Sequence, residues 1–420
     1  MKFNKWTLGL AAVGVVSLAS AARADEKMSS LETALSNTTI SGYVSTSFNW
    51  ALQPGGAKQE SSPSTYIPFQ PLSKQDGFNL DVVKLSIAKP EDESPWASGY
   101  QVDLLFGPDA VGYNTSANAI GGQSNNGYSS ADFAIKQAYV TLRTPVGNGI
   151  DWKIGVFDTI IGYEVFDAGS NPNYTRSWGY WLEPTENTGI LGTYKINDEW
   201  SVQAGIANTL QAGINARNNS SGNGNGAGSY WHKAYEAALT YTAPNSWGWA
   251  AGSSLYAGIV YGFNGQDGGD NGFHQGGNQI NYYGGMTLNT PLKQLTVGAA
   301  FDYAHNYGGG WQELGYYYED NVLAAGLYAT VKATDKLSFN ARAEYVYGED
   351  LPSFIQHAYS ADGFELTGTV EYDLWANVIT RLELRWDHNN SNQSPFDVND
   401  EDYLAHKNAV GFYANVIYKF

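Results

Sequence analysis

From residue 38 to residue 420 the chain alternates short and long connections without a break, and this rhythm restricts its fold more than any other feature. The short connections are Pro90 to Ala97, Pro145 to Asn148, Asn197-Asp198, Pro244 to Trp247, Pro291-Leu292, Thr334-Asp335 and Leu374 to Ala376. Each holds Pro, Asn, Asp or a brief polar break, which is turn chemistry. Longer stretches lie near 53 to 78, 108 to 132, 160 to 186, 211 to 232, 264 to 278, 307 to 319, 349 to 361 and 389 to 406. Eight long and seven short connections imply sixteen antiparallel strands, within a range of 14 to 18 set by uncertain boundaries, with both termini on the short-turn side. A closed transmembrane β-barrel with short periplasmic turns and long extracellular loops is built this way. A soluble sandwich or propeller has no reason to keep the alternation.

Within the strand segments apolar and polar residues alternate. Near the N-terminus Ile40, Gly42, Val44, Thr46 and Phe48 fall on one face, with Ser41, Tyr43, Ser45 and Ser47 on the other. Leu337, Phe339, Ala341 and Ala343 oppose Ser338, Asn340, Arg342 and Glu344, and Leu382, Leu384 and Trp386 oppose Arg381, Glu383 and Arg385. An Arg or Lys facing lipid at mid-membrane costs roughly 2 to 4 kcal/mol, so these charges are expected to face water inside the barrel. Trp96, Trp152, Trp200, Trp247, Trp249 and Trp375 fall near short turns, and Trp50, Trp231, Trp311 and Trp386 near long loops, as two interfacial belts require.

No later segment has eighteen consecutive apolar residues, so the spanning elements are expected to be strands. Residues 1 to 24 read as a signal peptide, with Lys2 and Lys5, an apolar run from Leu8 to Ala19, and Ala22-Arg23-Ala24 as an A-x-A cleavage site. Residues 25 to 37 read as a short periplasmic lead and 38 to 420 as one barrel domain. The formal charge is −18; removing a leader with three cations and no acids leaves −21. Nucleic acid is therefore not an expected partner. With no Cys, the chain has neither disulfides nor a Cys-linked lipid anchor. Gly/Asn/Ser tracts at Asn114 to Gly127, Asn218 to Ser229 and Gly265 to Gly277 read as surface loops.

From Lys136 to Ile196 the chain contains QAYVTL at 137 to 142, P-x-GNG at Pro145 to Gly149, K-x-G-x-F at Lys153 to Phe157, GYE at Gly162 to Glu164, NPNYTRS at Asn171 to Ser177 and TGI at Thr188 to Ile190. In these it resembles the OmpL-like β-barrel porins of bacterial outer membranes. The resemblance is strong over about sixty residues and elsewhere consists of barrel rhythm and the terminal aromatic. It implies an outer-membrane location, lipid and lipopolysaccharide as surroundings, a homotrimer and no cofactor. The last strand, Val410 to Phe420, with Tyr418 and Phe420 on one face, looks like the signal read by the barrel-assembly machinery.

Sixteen-stranded porins carry an inward, channel-narrowing loop after the fifth strand, and by resemblance 160 to 186 is that loop. It holds Glu164, Asp167, Glu183 and Glu186 together with Tyr174, Arg176, Trp178 and Trp181. Lys84, Lys153, Arg342, Arg381 and Arg385 occupy lumen positions opposite it, diluted by Glu344, Glu365, Glu371 and Glu383. Acid on the loop and base on the wall are expected to set a transverse field across a narrow water path for small hydrophilic solutes or ions. The aromatics leave room for sugar stacking.

Signals for catalysis or metal are thin. His232, His274, His305, His357, His388 and His406 lie in or beside the external loops, outside any HExxH or Ser/His/Asp motif. Asp397, Asp400, Glu401 and Asp402 are compatible with Ca²⁺ or lipopolysaccharide bridging, yet read better as a solvated acidic loop. The alternatives to a porin are an adhesin or structural barrel with a plugged lumen, a barrel hydrolase with a rim active site, and a soluble lectin.

Overall fold

The computed structural model describes residues 37–52, 74, 77–113, 133–210, 214–215, 233–264, 277–307, 319–349, 360–390 and 407–420. The expected leader at 1 to 24, the lead up to residue 36, Trp231, Trp311, the acids from Asp397 to Asp402 and four of the six histidines lie outside the described residues.

Alternating sequence becomes sixteen strands: β1 (Thr39–Ala51), β2 (Gly77–Lys89), β3 (Ser98–Phe106), β4 (Phe133–Thr144), β5 (Ile150–Asp158), β6 (Glu186–Lys195), β7 (Trp200–Ala207) and β8 (Ala234–Thr242). They continue as β9 (Ser254–Asn264), β10 (Gly277–Asn289), β11 (Leu295–Tyr307), β12 (Glu319–Lys332), β13 (Leu337–Glu349), β14 (Ser360–Trp375), β15 (Val378–Asn389) and β16 (Asn408–Lys419). Each pairs antiparallel with its neighbours in sequence, and β16 returns to β1 from Tyr43↔Lys419 to Ala51↔Gly411, closing the barrel. Closure pairs the strand edges that hydrocarbon could not solvate. The seam runs to the last residue, where Gly42 and Phe420 exchange backbone hydrogen bonds of 2.9 and 3.0 Å.

The turns fall where expected, and one is longer. Between β8 and β9 the chain makes a 3₁₀ helix over Asn245–Ala250 rather than ending its turn at Trp247. Gly248, at φ +63°, interrupts the helical path in a conformation that costs a residue without Cβ little. The detour leaves Trp247 and Trp249 more than half exposed on the short-turn side, where indole rings suit the headgroup boundary.

Faces sort as the alternation requires. On β15, Leu382 and Leu384 are 53% and 51% exposed to the outside, whereas Arg381, Glu383 and Arg385 between them are 2%, 1% and 0% exposed. The packed core therefore lies inside the barrel. It includes a cluster of Tyr43, Val82, Leu105, Ala110, Ala134, Ile379 and Ile417, and another of Trp178, Leu182, Val322, Ala324 and Val346. Among the described residues no helix is long and apolar enough to cross a membrane.

Candidate functional site

The connection from β5 to β6, residues 159 to 185, turns into the barrel and lies against the far wall. Its first limb meets β9, where Ile161 fills the space a side chain on Gly258 would need. Tyr163 then stacks on Tyr328 of β12 at 4.1 Å between ring centroids and reaches over Gly298 of β11, where a Cβ would collide with its hydroxyl. At the tip Asn171 folds back, its Oδ1 accepting from Val165 N–H at 2.8 Å and its Nδ2 donating to Val165 C=O at 2.6 Å. The return limb ends in a one-turn helix, α1 (Trp178–Leu182), capped by Ser177, whose hydroxyl accepts from Tyr180 N–H at 3.0 Å.

A loop with one α-helical turn, one 3₁₀ turn at Ala168–Ser170 and no strand carries many backbone groups without internal partners, and buried ones must find them elsewhere. The wall supplies both kinds. Glu383 accepts the N–H groups of Tyr174 and Thr175 at 2.6 and 2.9 Å, and Glu344 accepts those of Trp178 and Gly179 at 2.5 and 2.9 Å. Arg381 donates to the carbonyls of Ala168 and Asn171 at 2.7 and 2.8 Å, and Arg385 to that of Arg176 at 2.6 Å. Arg342 joins loop and wall at once, reaching Glu164 at 2.8 Å, Thr175 C=O at 2.7 Å and Glu365 at 2.5 Å. Across the seam Lys84 of β2 binds both Asp167 oxygens at 2.9 Å, and on the near side Lys419 of β16 reaches Gly169 C=O at 3.3 Å. Charge-assisted bonds of this kind are the stronger ones.

These contacts correct the expected transverse field. Lys84, Arg342, Arg381 and Arg385 do not look at an acidic loop across water; they grip it, as do Glu344 and Glu383. Both signs occur on one wall because a loop backbone offers both donors and acceptors. Glu186 is corrected too: it opens β6, pairs in register with Asp158 and is buried, outside the loop. Tyr174 and Trp178 are buried rather than presented for stacking, Tyr174 with its hydroxyl on Asp81 at 3.0 Å and its ring 5.8 Å from Tyr413. Trp181 is half-buried, edge-on to Tyr180, and the Arg176 guanidinium lies 5.5 Å from the same tyrosine ring. Lys153 alone of the named bases lies away from these contacts, 4.9 Å above the ring of Tyr139. Tyr418 faces outward, half exposed.

Sequence reasoning missed Asp81, Asn171, Asn173, Asp302 and Tyr328. Asp302 and Tyr328 sit at inward positions of the alternation and were legible in that way. Asp81 points inward because the pairing slips at Ser45/Thr46, so that Ser45 and Ser47 both donate to it, at 2.8 and 2.7 Å. The extra residue changes the phase of the alternation, whose apolar outward set passes from Phe78 and Leu80 to Val83, Leu85 and Ile87, so the inward parity of Lys84 does not carry over to Asp81.

Glu183 ends the return limb, and Asp302 is the acid that acts on it most strongly. Burial, then the charges of Asp302, Glu164 and Glu344, push the Glu183 carboxyl well above the usual carboxylate range. The protonated form is thus favoured in the folded protein. Its stabilisation is complete at pH below the ordinary carboxylate pKa and is lost as pH rises through the raised one. The loop should therefore become more protease-sensitive on alkalinisation, and E183Q should flatten that dependence; an unchanged pH profile in E183Q would count against Glu183 as its source.

Among the described residues no three His, Asp or Glu side chains group as a metal site. His305 and His388 meet Asn321 and Asn408, at 2.5 and 2.8 Å.

A closed sixteen-stranded barrel, apolar outside, with a charged inner wall holding an inward loop, belongs to the class of outer-membrane porins. The family model described as "Putative beta-barrel porin-2, OmpL-like" matches residues 37–420, and the chain belongs to that family. No curated protein shows significant similarity to it. In fold it is similar to an anion-selective porin from Comamonas acidovorans (TM-score 0.57, 10% identity, 91% of this chain and 99% of that one). It is likewise similar to the trimer form of in-vitro folded OmpT from Vibrio cholerae (0.54, 13%, 91% and 99%) and to the outer membrane channel DcaP of Acinetobacter baumannii (0.54, 12%, 91% and 97%).

Proposed function

We propose that this porin lets small hydrophilic solutes or ions diffuse passively through a water-filled lumen that the 159 to 185 loop narrows, without covalent chemistry or a cofactor. The observation that carries this reading is the anchoring of the loop across the lumen by Arg342, Arg381, Arg385, Glu344 and Glu383. Such a constriction, tied at both limbs, sets a width that does not depend on the remaining loops.

Family membership supports placement in the outer membrane, with lipid and lipopolysaccharide around the barrel. Export would use cleavage after Ala24, assembly would read the strand ending in Tyr418 and Phe420, and the trimer form of the Vibrio cholerae relative supports a homotrimer. Against a hydrolase, the ring nitrogens of His305 and His388 meet the side-chain oxygens of Asn321 and Asn408.

Single-channel recording of the detergent-purified protein in a planar bilayer tests the reading. Stable conductance steps are expected. A folded, inserted barrel without steps would reject it in favour of a plugged adhesin or structural barrel, a reading to which the extensive burial of the lumen face from β12 to β16 lends weight.

A further inference from the structure

The two halves of the inner wall differ in what they present. From β12 to β16 most charged lumen residues are covered by the loop: Arg342, Glu344, Glu365, Arg381, Glu383 and Arg385 are all 5% exposed or less, and Glu371 and Lys419 are half-buried. A charge so covered and paired acts on a passing ion only through the loop that neutralises it. Across β4 to β9 the lumen face stays partly open at Gln137, Tyr139, Lys153, Thr193, Gln203 and Ala238. Small residues recur on that face: Gly155 pairs with Gly189 across β5 and β6, and Ala238 lies opposite Gln203 across β7 and β8. Side chains that are missing from one wall, while the other carries Arg and Glu under a loop, leave the free cross-section on the side of the small residues.

On that side the bases Lys136 and Arg143 are each in contact with an acid, Asp158 and Asp151. Lys153 has no carboxylate within ion-pair distance among the described residues; its ammonium lies over Tyr139, and Asp158, Glu236 and Asp103 are the acids whose fields reach it. A cation–π contact orients an ammonium without neutralising it. We propose that permeating ions pass along the β4–β9 wall and that Lys153, rather than the arginines of the far wall, is the residue that sets charge selectivity. It holds a positive point in an otherwise acidic passage, so it retards cations and admits anions there. This rests on the porin reading above.

The test is the reversal potential in a salt gradient for the wild type, K153Q and K332Q, all in the full chain. Lys332 ends β12 at the short-turn rim and is exposed, so it reports loss of a charge away from the passage. The expected result is a rise in cation-over-anion permeability of about threefold or more in K153Q, from removing one unit charge within several Å of the path, and little change in K332Q. The chain has no Cys, so K153C can also be probed with a charged thiol reagent, whose addition should lower the conductance. Conducting K153Q channels with wild-type selectivity, or K153C channels indifferent to the reagent, would overturn the inference while leaving the porin intact. Wild-type barrels that do not conduct overturn both.

Discussion

Arg342→Ala is expected to release the inward loop while leaving the barrel closed. The guanidinium is 1% exposed and is shared between Glu164, Thr175 C=O and Glu365. Removing one partner of a buried ion pair costs about 3 to 5 kcal/mol, chiefly because the remaining charges are left unpaired. Here the remaining charges lie close together, since Glu344 also faces Glu365 across β13 and β14. Arg385, 3.5 Å from Glu365, offsets only part of the loss. Strand pairing does not run through this side chain, so heat-modifiable migration of the barrel should persist while protease begins to cut between residues 159 and 185. Single-channel records should turn noisy in the same variant. R342K should recover only part, because one ammonium lacks the planar fork that serves a carboxylate and a carbonyl together. Protease resistance equal to wild type in R342A would show that the loop is held by other contacts.

Leu384→Arg is the second large effect, and it acts on the opposite face. Leu384 lies midway along β15, 51% exposed, one residue from Arg385, which is fully buried. The same charge is accommodated at 385, where Asp387, Glu365 and Arg176 C=O receive it. At 384 it would meet hydrocarbon, at a cost of roughly 2 to 4 kcal/mol near the membrane midplane. The expected outcome is a sharp drop in folded, heat-modifiable barrel recovered in lipid vesicles. T193R, placed on the half-open lumen side of β6, should fold nearly as well as wild type. Equal recovery of L384R and T193R would contradict the assignment of faces.

Both predictions depend on information that entered at different levels. The barrel itself was legible in the chain because period-two alternation and turn chemistry are local: Leu382-Glu383-Leu384-Arg385 states which residues face lipid without reference to anything distant. The inward loop was legible from its position after the fifth strand and its aromatic content. What it touches was not. Glu383 and Tyr174 are 209 positions apart, and Arg342 and Glu164 178 apart, and no periodicity links such pairs. The burial of Trp178 and Tyr174, and the transfer of Glu186 from the loop to a strand, likewise depend on where the chain re-enters the wall.

The amino-acid sequence by itself determined a closed barrel, the sorting of its faces and the presence of charges in its lumen, since each follows from the cost of placing polar groups in hydrocarbon. Only the tertiary structure decided what those charges do. A buried loop must find partners for its backbone, and the nearest partners are the wall arginines and glutamates, so charges that sequence alone places in open water are consumed in holding the loop. Lys153, beyond its reach, is left to face the open side.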